Sequence, residues 1–179
     1  MDQDIIEPIL KYGEGIINSD IFQSGYRQKH HLIMTVSDHS MDVTIMSLKM
    51  SHALRHIGIR MDEKDLVVGA LCHDLGILGR DEKFKTSREC CRMHPVLSVD
   101  EARKLVPDMD KKTEQIIRRH MWPATAPSLP PNSKEAFIVM LADKYSAMRE
   151  FMSIFVGPEF KKNLRDAIHK KADADGAVA

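Results

Sequence analysis

The residues best suited to chemistry are histidines and aspartates that interrupt the apolar faces of predicted helices. His39 shares one helical face with Val43, Met46 and Met50, because these positions follow the i, i+4, i+7, i+11 pattern. Three further predicted helices carry the same kind of polar intrusion: His73 with Asp74, His120, and Asp143. A buried carboxylate is costly unless it is paired or bound to a metal, and imidazole with carboxylate suits divalent transition metals. The pattern therefore predicts a metal site in a helical core.

Each of these residues taken alone has a simpler explanation. A single histidine on an apolar helix face is most often a hydrogen-bonded core residue, and Asp143 could pair with Lys144. One metal site explains all of the intrusions at once, which favours it over several separate explanations. A zinc site built on Cys90, Cys91 and His94 is the weaker alternative, because no second ligand pair completes the usual four-ligand spacing.

Three segments of the chain resemble the HD superfamily of metal-dependent phosphohydrolases. They are SDHSMDV around His39, GALCHDLG around His73 and Asp74, and LADKYSA around Asp143, in an order that extends over about residues 36–147. The resemblance implies that these four residues ligate a first divalent metal ion. It also implies an all-α, single-domain HD-type bundle of about six to eight helices.

Two further segments resemble those of HD proteins that bind a second metal ion. CRMHPVLS presents His94 and IIRRHMWP presents His120, and the resemblance implies that Asp74 bridges the two ions. The RRHMWP segment, followed by a serine-capped helix and an ADK segment, is similar to that of short, stand-alone bacterial HD-domain proteins. Cyclic-dinucleotide phosphodiesterases with a GYP motif are a poorer match, because this chain has no GYP tripeptide and has Met121 in place of their second histidine.

The resemblance implies a phosphomonoesterase or phosphodiesterase that acts on a nucleotide or another small phosphate ester. One or two divalent transition-metal ions (Fe, Mn, Co, Ni or Zn) would supply a metal-activated hydroxide, with Asp74 as the catalytic residue. Two other functions stay open on the same scaffold: a non-catalytic, metal-containing HD ligand-binding module and a di-iron oxygenase. Metal analysis, turnover of phosphate esters and oxygen uptake distinguish the three.

An anionic substrate needs cations near the metal site. Lys144 and Arg119 are the favoured phosphate contacts, because each is the immediate neighbour of a predicted ligand. The other basic candidates are Lys83, Lys85, Arg88, Arg92 and Arg118. His30 and His31, upstream of the first motif, fit either the mouth of the site or the protein surface.

Helices must position these residues, and capping and helix-ending signals divide the chain. The predicted helices cover about residues 4–18, 37–58 with Ser37 as N-cap, 62–74 with Asp62 as N-cap, 95–105, 110–121, 133–152 with Ser133 as N-cap, and 158–171. Residues 79–91 are a predicted loop with room for a short helical turn, the proline-rich residues 123–131 are a second predicted loop, and 172–179 a frayed tail. Because no repeat or linker divides the chain, residues 1–179 are predicted to form one domain.

Composition limits the class of protein further. The chain has 26 basic and 26 acidic residues, so the formal net charge is zero, and 43% of its residues are hydrophobic. This balance gives no electrostatic reason to expect binding to nucleic acid or a membrane surface. The longest apolar run, residues 136–142, is too short to cross a bilayer, and the N-terminus lacks signal-peptide features. We therefore expect a cytoplasmic protein with reduced cysteines; the sequence leaves its oligomeric state open.

Overall fold

Helices form the regular structure of the protein. The computed structural model describes residues 3–30, 34–125 and 129–151. Within these ranges the elements are α1 (Gln3–Ile17), α2 (Asp20–Gly25), α3 (Val36–Arg55), α4 (Glu63–Cys72), a 3₁₀ turn (Leu75–Ile77), α5 (Arg80–Lys83), α6 (Ser87–Leu105), α7 (Lys111–Arg119) and α8 (Lys134–Phe151). An isolated β-bridge joins Lys29 and Thr35. The predicted all-α class is confirmed.

Helix α4 is the central element of the bundle. Residues 65–72 are all buried, as expected for a helix that is apolar around most of its circumference. It packs against α1, α3, α6, α7 and α8. The helix begins as predicted, since the Asp62 side chain accepts a hydrogen bond from the Asp65 amide at 3.2 Å. Because α4 lies in the core, the two residues at its C-terminal end, His73 and Asp74, lie inside the protein.

Two glycines permit the close packing around this end of α4. A Cβ at Gly69 would lie 2.6 Å from Cγ2 of Ile116, so α4 and α7 approach more closely than a side chain would allow. A Cβ at Gly76, in the 3₁₀ turn, would meet the backbone of α6 at His94 and Ser98. The Gly76 amide instead donates to the Ser98 hydroxyl at 2.9 Å. This contact holds the residues after α4 directly against the middle of α6.

The predicted start of α3 is wrong by two residues. The N-cap is Thr35, whose side chain accepts a hydrogen bond from the Asp38 amide at 3.1 Å. Ser37 lies inside the helix, where its buried hydroxyl donates to the Phe22 carbonyl at 2.5 Å. Both residues are good capping types, and the packing of α3 against the segment around α2 decides between them. The predicted stop is confirmed, since Gly58, with φ of +85°, lies just beyond the end of the helix.

The short helical turn allowed for in the predicted loop over residues 79–91 is confirmed, but the end of that loop and the predicted helix start at Pro95 are wrong. Residues 80–83 form α5, and α6 begins at Ser87, so that Pro95 lies inside it. The reason is a capping box: the Thr86 hydroxyl accepts from the Glu89 amide at 3.1 Å, and Glu89 Oε2 accepts from the Lys85 amide at 2.8 Å. These end contacts start the helix upstream of the proline, which removes one hydrogen bond from its interior.

Most of the remaining helices agree with the prediction. The helices predicted at 4–18, 110–121 and 133–152 are confirmed as α1, α7 and α8, with Asp110 and Ser133 as the caps of the last two. The short helix α2, capped by Ser19, was not predicted. The predicted helix at 158–171, the tail at 172–179 and part of the proline-rich loop lie outside the described residues. No helix in the described ranges is long and apolar enough to cross a membrane.

Candidate metal centre

The six side chains predicted as metal ligands lie together in the core. Each is at most 7% exposed. They are His39 on α3, His73 at the end of α4, Asp74 directly after it, His94 on α6, His120 at the end of α7, and Asp143 on α8. We call these six residues the His/Asp cluster. Five helices that are distant in sequence thus converge on one point.

Asp74 divides the His/Asp cluster into two sides. Its Oδ1 lies 3.1 Å from His94 Nε2 and 3.5 Å from His120 Nε2. Its Oδ2 lies 3.3 Å from His73 Nε2 and 4.0 Å from His39 Nε2. On this second side, Asp143 Oδ1 lies 3.1 Å from His39 Nε2 and 3.9 Å from His73 Nε2. One carboxylate therefore faces two separate groups of nitrogen donors.

Backbone carbonyls orient three of the imidazole rings. The Nδ1 atoms concerned are those of His73, 2.7 Å from the Ala70 carbonyl, His94, 2.9 Å from the Cys90 carbonyl, and His120, 2.7 Å from the Ile117 carbonyl. A carbonyl oxygen can only accept, so each Nδ1 carries a hydrogen, and in the neutral form of each ring the Nε2 lone pair points into the cluster. His94 Nε2 and His120 Nε2 are 3.0 Å apart, a separation at which two lone pairs repel. A cation between these nitrogens removes the repulsion.

The donor set fits a divalent transition metal. The buried His73 Nε2 has no hydrogen-bond partner, although it lies close to two carboxylates. Donors bound to one ion at roughly 2.1 Å lie roughly 3.0–3.4 Å apart along the edges of an octahedron or tetrahedron. The shortest separations on the two sides, 3.0 Å for His94–His120 and 3.1 Å for His39–Asp143, fall at this spacing. Imidazole and carboxylate donors are those preferred by iron, manganese, cobalt, nickel and zinc.

Both carboxylates of the cluster are ionised. Burial by itself raises the pKa of Asp74, but the charge on His73 and the hydrogen bonds of the surrounding imidazoles hold that pKa well below its ordinary value. Burial likewise raises the pKa of Asp143. The hydrogen bond between Asp143 and His39 and the charge of Lys144 outweigh burial, so the pKa of Asp143 is also below its ordinary value. Two negative charges are thus fixed in the core, which is the electrostatic condition for binding a cation there.

In the metal-free protein His94 carries a proton and His120 does not. Burial lowers the pKa of His94, but its hydrogen bond to Asp74 outweighs burial and raises the pKa to about 10. Burial and the charges of His73 and His94 lower the pKa of His120 to about 4. The two rings share one carboxylate oxygen, so one carries the proton and the other stays neutral.

A comparison with protein families agrees with this arrangement. The HD domain family model matches residues 36–148, more than half of the 179-residue chain. The chain belongs to the HD domain family. Searches of curated proteins and of solved structures returned no match. HD domains bind divalent metals and are typically metal-dependent phosphohydrolases. In this chain the five His/Asp cluster residues other than Asp143 lie on or directly after helices α3, α4, α6 and α7.

A seventh buried side chain, His30, joins the cluster of this HD domain. Its Nε2 lies 3.2 Å from Asp74 Oδ2, and its ring centroid is 4.5 Å from that of His39. The residue is only 8% exposed. The expectation that His30 lies at the site is therefore correct, and the alternative that it lies on the protein surface is wrong. Helical periodicity could not reveal it, because His30 lies in the segment between α2 and α3. His31 lies outside the described residues.

A cavity of about 860 Å³ opens onto the cluster. Among the described residues, the cluster members that line it are Asp74, His94, His120 and Asp143, together with the neighbouring His30. Its apolar wall includes Ile77, Phe84, Met121, Ala124 and Ala147, and its basic residues are Arg80, Lys85 and Lys144. The HD domain therefore has a space of small-molecule size with cations at its wall and the cluster at its base.

The predicted phosphate contacts have different positions. Lys144 lines the cavity, with Nζ 2.6 Å from Asp143 Oδ2. Arg119 is not among the residues that line it; its guanidinium donates to Gln115 Oε1 at 2.6 Å and to the Pro130 carbonyl at 2.7 Å. The structure thus does not bring Arg119 to the site, because a neighbour in a helix points about 100° away from the ligand beside it.

The other basic residues also divide. Of the remaining candidates Lys85 lines the cavity, whereas those not among the lining residues are Lys83, Arg88, Arg92 and Arg118. Sequence reasoning missed Arg80, which lines the cavity and donates from its NH1 to the His30 carbonyl at 3.3 Å. Arg80 begins the short helix α5, in the segment predicted as a loop with a short helical turn, and no predicted ligand is its neighbour in sequence. The three cysteines are free, and Cys90 approaches His94 through its carbonyl oxygen.

Proposed function

We propose that this HD domain is a metal-dependent phosphohydrolase that cleaves a phosphate ester of a nucleotide or another small molecule. One observation carries the proposal: a buried His/Asp cluster with the donor set of a metal site forms the base of a cavity whose wall carries Arg80, Lys85 and Lys144. Anionic donors at the base suit metal ions, and cations at the wall suit a phosphorylated substrate.

The proposed ligand assignment follows the two sides of Asp74. His39, His73, Asp143 and Asp74 would hold one divalent ion, and His94 and His120, together with Asp74, would hold a second. A divalent ion in this position lowers the pKa of a bound water towards neutrality and neutralises charge on a phosphoryl group. Asp74 is the catalytic residue of the proposal, because its carboxylate is shared by both sides and fixes their separation.

Lys144 is the proposed contact for the reacting phosphate. Its ammonium group lies 2.6 Å from Asp143 Oδ2 and 3.2 Å from the His120 carbonyl, which together hold it at the edge of the cluster. An ammonium has three N–H groups, and these two contacts use two of them. The third is available to donate to a phosphoryl oxygen in the cavity.

Arg80, Phe84 and Lys85 are the proposed contacts for the rest of the substrate. All three line the cavity on the segment between the 3₁₀ turn and α6. Guanidinium and ammonium groups suit further anionic oxygens, and the Phe84 ring offers an apolar surface to a planar or aliphatic group. A volume of about 860 Å³ is large enough for a substrate of nucleotide size.

Metal analysis and a panel of phosphate esters test the proposal. Purified wild-type protein is expected to bind divalent metal and to hydrolyse at least one phosphomonoester or phosphodiester, and Asp74→Ala is expected to lose both properties. Lys111→Ala, on the exposed face at the start of α7, is a matched control that should retain both. If the wild type binds no metal, or if Asp74→Ala keeps full activity, the proposal is wrong.

The same experiment distinguishes the two alternative functions. Metal-loaded protein with no turnover across the panel would favour a non-catalytic ligand-binding module. Iron-loaded protein that consumes oxygen and shows a visible absorption band would favour the oxygenase. Phosphate release that depends on the metal and on Asp74 is the outcome expected here.

A further inference from the structure

His30 occupies a position that the HD motif residues do not account for. Its Nε2 lies 3.2 Å from Asp74 Oδ2, the same oxygen that His73 Nε2 approaches at 3.3 Å. One donor atom each from His30, His39 and Asp74 lies within 4.8 Å of the other two, close enough to surround one ion. Its nitrogen thus lies among the donors on the Oδ2 side of the cluster.

The backbone on either side of His30 is fixed by hydrogen bonds. The His30 amide donates to the Met34 carbonyl at 2.9 Å, and the His30 carbonyl accepts from Arg80 at 3.3 Å. Gln28 links the same segment to the end of the 3₁₀ turn: its Nε2 donates to the Ile77 carbonyl at 2.9 Å, and its Oε1 accepts from the Gly79 amide at 2.7 Å. The segment is therefore held against the turn that follows Asp74, and this contact aims the imidazole at the cluster.

His30 also differs from its neighbours in where it lies relative to the cavity. It lines the cavity, whereas His39 and His73 are not among the lining residues. On the Oδ2 side, these two histidines thus form the inner face and His30 is the imidazole of the outer face. A ligand in this position would occupy a coordination site that is otherwise open to water or substrate.

We infer that His30 is a fifth protein ligand of the ion held by His39, His73, Asp74 and Asp143. The inference rests on the proposed metal centre and deepens it. It makes the two metal positions unequal: five side chains hold the first ion, and three hold the second. The side of the cluster at His94 and His120, which both line the cavity, would then be the side left open to substrate.

Metal titration of variants at position 30 tests this inference. The probe is Co²⁺, whose visible spectrum reports the number and type of its ligands, and its affinity is measured by competition with a chelator. His30→Ala is expected to lower the affinity for one of the two Co²⁺ ions by at least about tenfold and to change the spectrum of that ion. Tenfold is roughly the lower limit for the loss of a residue that only hydrogen-bonds to a ligand, so the loss of a ligand should not fall below it. Lys29→Ala is the matched control, because Lys29 is the exposed neighbour in the same segment and should leave both unchanged.

A second variant separates a ligand from a hydrogen-bond donor. His30→Gln keeps an N–H group that can donate to Asp74 but removes the imidazole lone pair. If His30 is a ligand, the glutamine variant loses affinity as the alanine variant does. If glutamine restores wild-type affinity and spectrum, or if alanine never changes them, His30 is no ligand and the inference is overturned.

A measurement on the wild type covers the case in which the variants fail to fold. Zinc titration followed by NMR of the imidazole nitrogens should move the His30 Nε2 resonance together with that of His39. A His30 resonance that stays unchanged while His39 moves overturns the inference and leaves the proposed function intact. Wild-type protein that binds no metal overturns the proposed function, and this inference with it.

Discussion

Two buried clusters of charge lie at opposite ends of the same helices, and they differ in how their charge is balanced. The His/Asp cluster lies at the C-terminal ends of α4 and α7. At their N-terminal ends, Lys112 Nζ lies 2.5 Å from Asp65 Oδ2 and 3.5 Å from Glu135 Oε1. The hydroxyl of Thr113 donates to Asp65 Oδ1 at 2.7 Å. We call these four residues the Lys112 cluster.

The Lys112 cluster is balanced by the protein itself. Asp65 and Glu135 lie in the first turns of α4 and α8, where the helix dipole favours negative charge, and Lys112 supplies an ammonium group. Glu135 Oε1 also accepts from the Asp62 amide at 3.2 Å. The carboxylates therefore have a protein cation, a hydroxyl and backbone amides as partners.

The His/Asp cluster is not balanced in this way. His73 and His120 cap the C-terminal ends of their helices, where the dipole favours positive charge, and Asp74 follows one of these ends. Lys144 contacts Asp143, but Asp74 faces imidazoles alone among the contacts given by the described residues. A buried carboxylate by itself thus does not indicate a metal site; a buried carboxylate surrounded by imidazole nitrogens is the stronger indication.

Matched amide substitutions on α8 should give the largest difference between the clusters. Asp143→Asn removes a charged ligand, so we expect weaker metal binding and a loss of several kcal/mol of transition-state stabilisation, roughly 10³-fold in kcat/KM. Glu135→Gln changes the other cluster on the same helix and should keep both metal and activity. Metal content and phosphate release measure the two effects. Equal losses in both variants would mean that the clusters are not functionally distinct.

Metal removal should affect stability through the His/Asp cluster. At free metal a hundredfold above Kd, bound metal stabilises the folded state by about 2.7 kcal/mol, so chelation should lower Tm by roughly 5–10 °C for a chain of this size. Differential scanning calorimetry with and without chelator measures the shift. A Tm that is the same in both conditions would contradict an ion bound to the folded protein.

Replacement of the lysine should affect stability without affecting metal. Lys112→Met leaves Asp65 and Glu135 without their ammonium partner, so the free energy of unfolding should fall by about 2 kcal/mol, less than for a fully buried pair because the Lys112 side chain is 39% exposed. Lys111→Met, at an exposed neighbouring position, is the control. Urea denaturation gives the stability, and chelator competition should give an unchanged metal affinity. A loss of metal in Lys112→Met would contradict the separation of the two clusters.

The pH dependence of stability should distinguish the metal-free from the metal-loaded protein by the sign of its slope. In the metal-free protein the pKa of His94 is raised to about 10, so its contribution to stability is fully present below about pH 6.5 and is lost as the pH rises towards 10. The slope is at most about 1.4 kcal/mol per pH unit. Bound metal displaces this proton, so the decline from His94 should be absent in the metal-loaded protein. Thermal melts of both forms from pH 6.5 to 10 test this, and parallel curves would contradict it.

The two clusters also differ in how far the sequence could predict them. Five residues of the His/Asp cluster, among them His39 and Asp143, were visible because a polar residue on an apolar helical stripe breaks a periodic pattern. His30 and Arg80 were not, because a segment between helices has no period to break. Asp65 of the Lys112 cluster looks like an ordinary acidic residue in a first helical turn, and its burial depends on a lysine 47 positions away. Periodicity reports which face of a helix is buried, whereas partners brought together by tertiary packing leave no local signal.

The position of the cavity sets an order for metal release. His94 and His120 line it, whereas His39 and His73 are not among its lining residues. If two ions bind as proposed, an ion beside His39 and His73 must pass the outer pair of histidines to leave through the cavity. Release into excess chelator should then proceed in a fast and a slow phase. Loss of the outer ion alone would switch off the proposed activity while the inner ion continued to stabilise the fold.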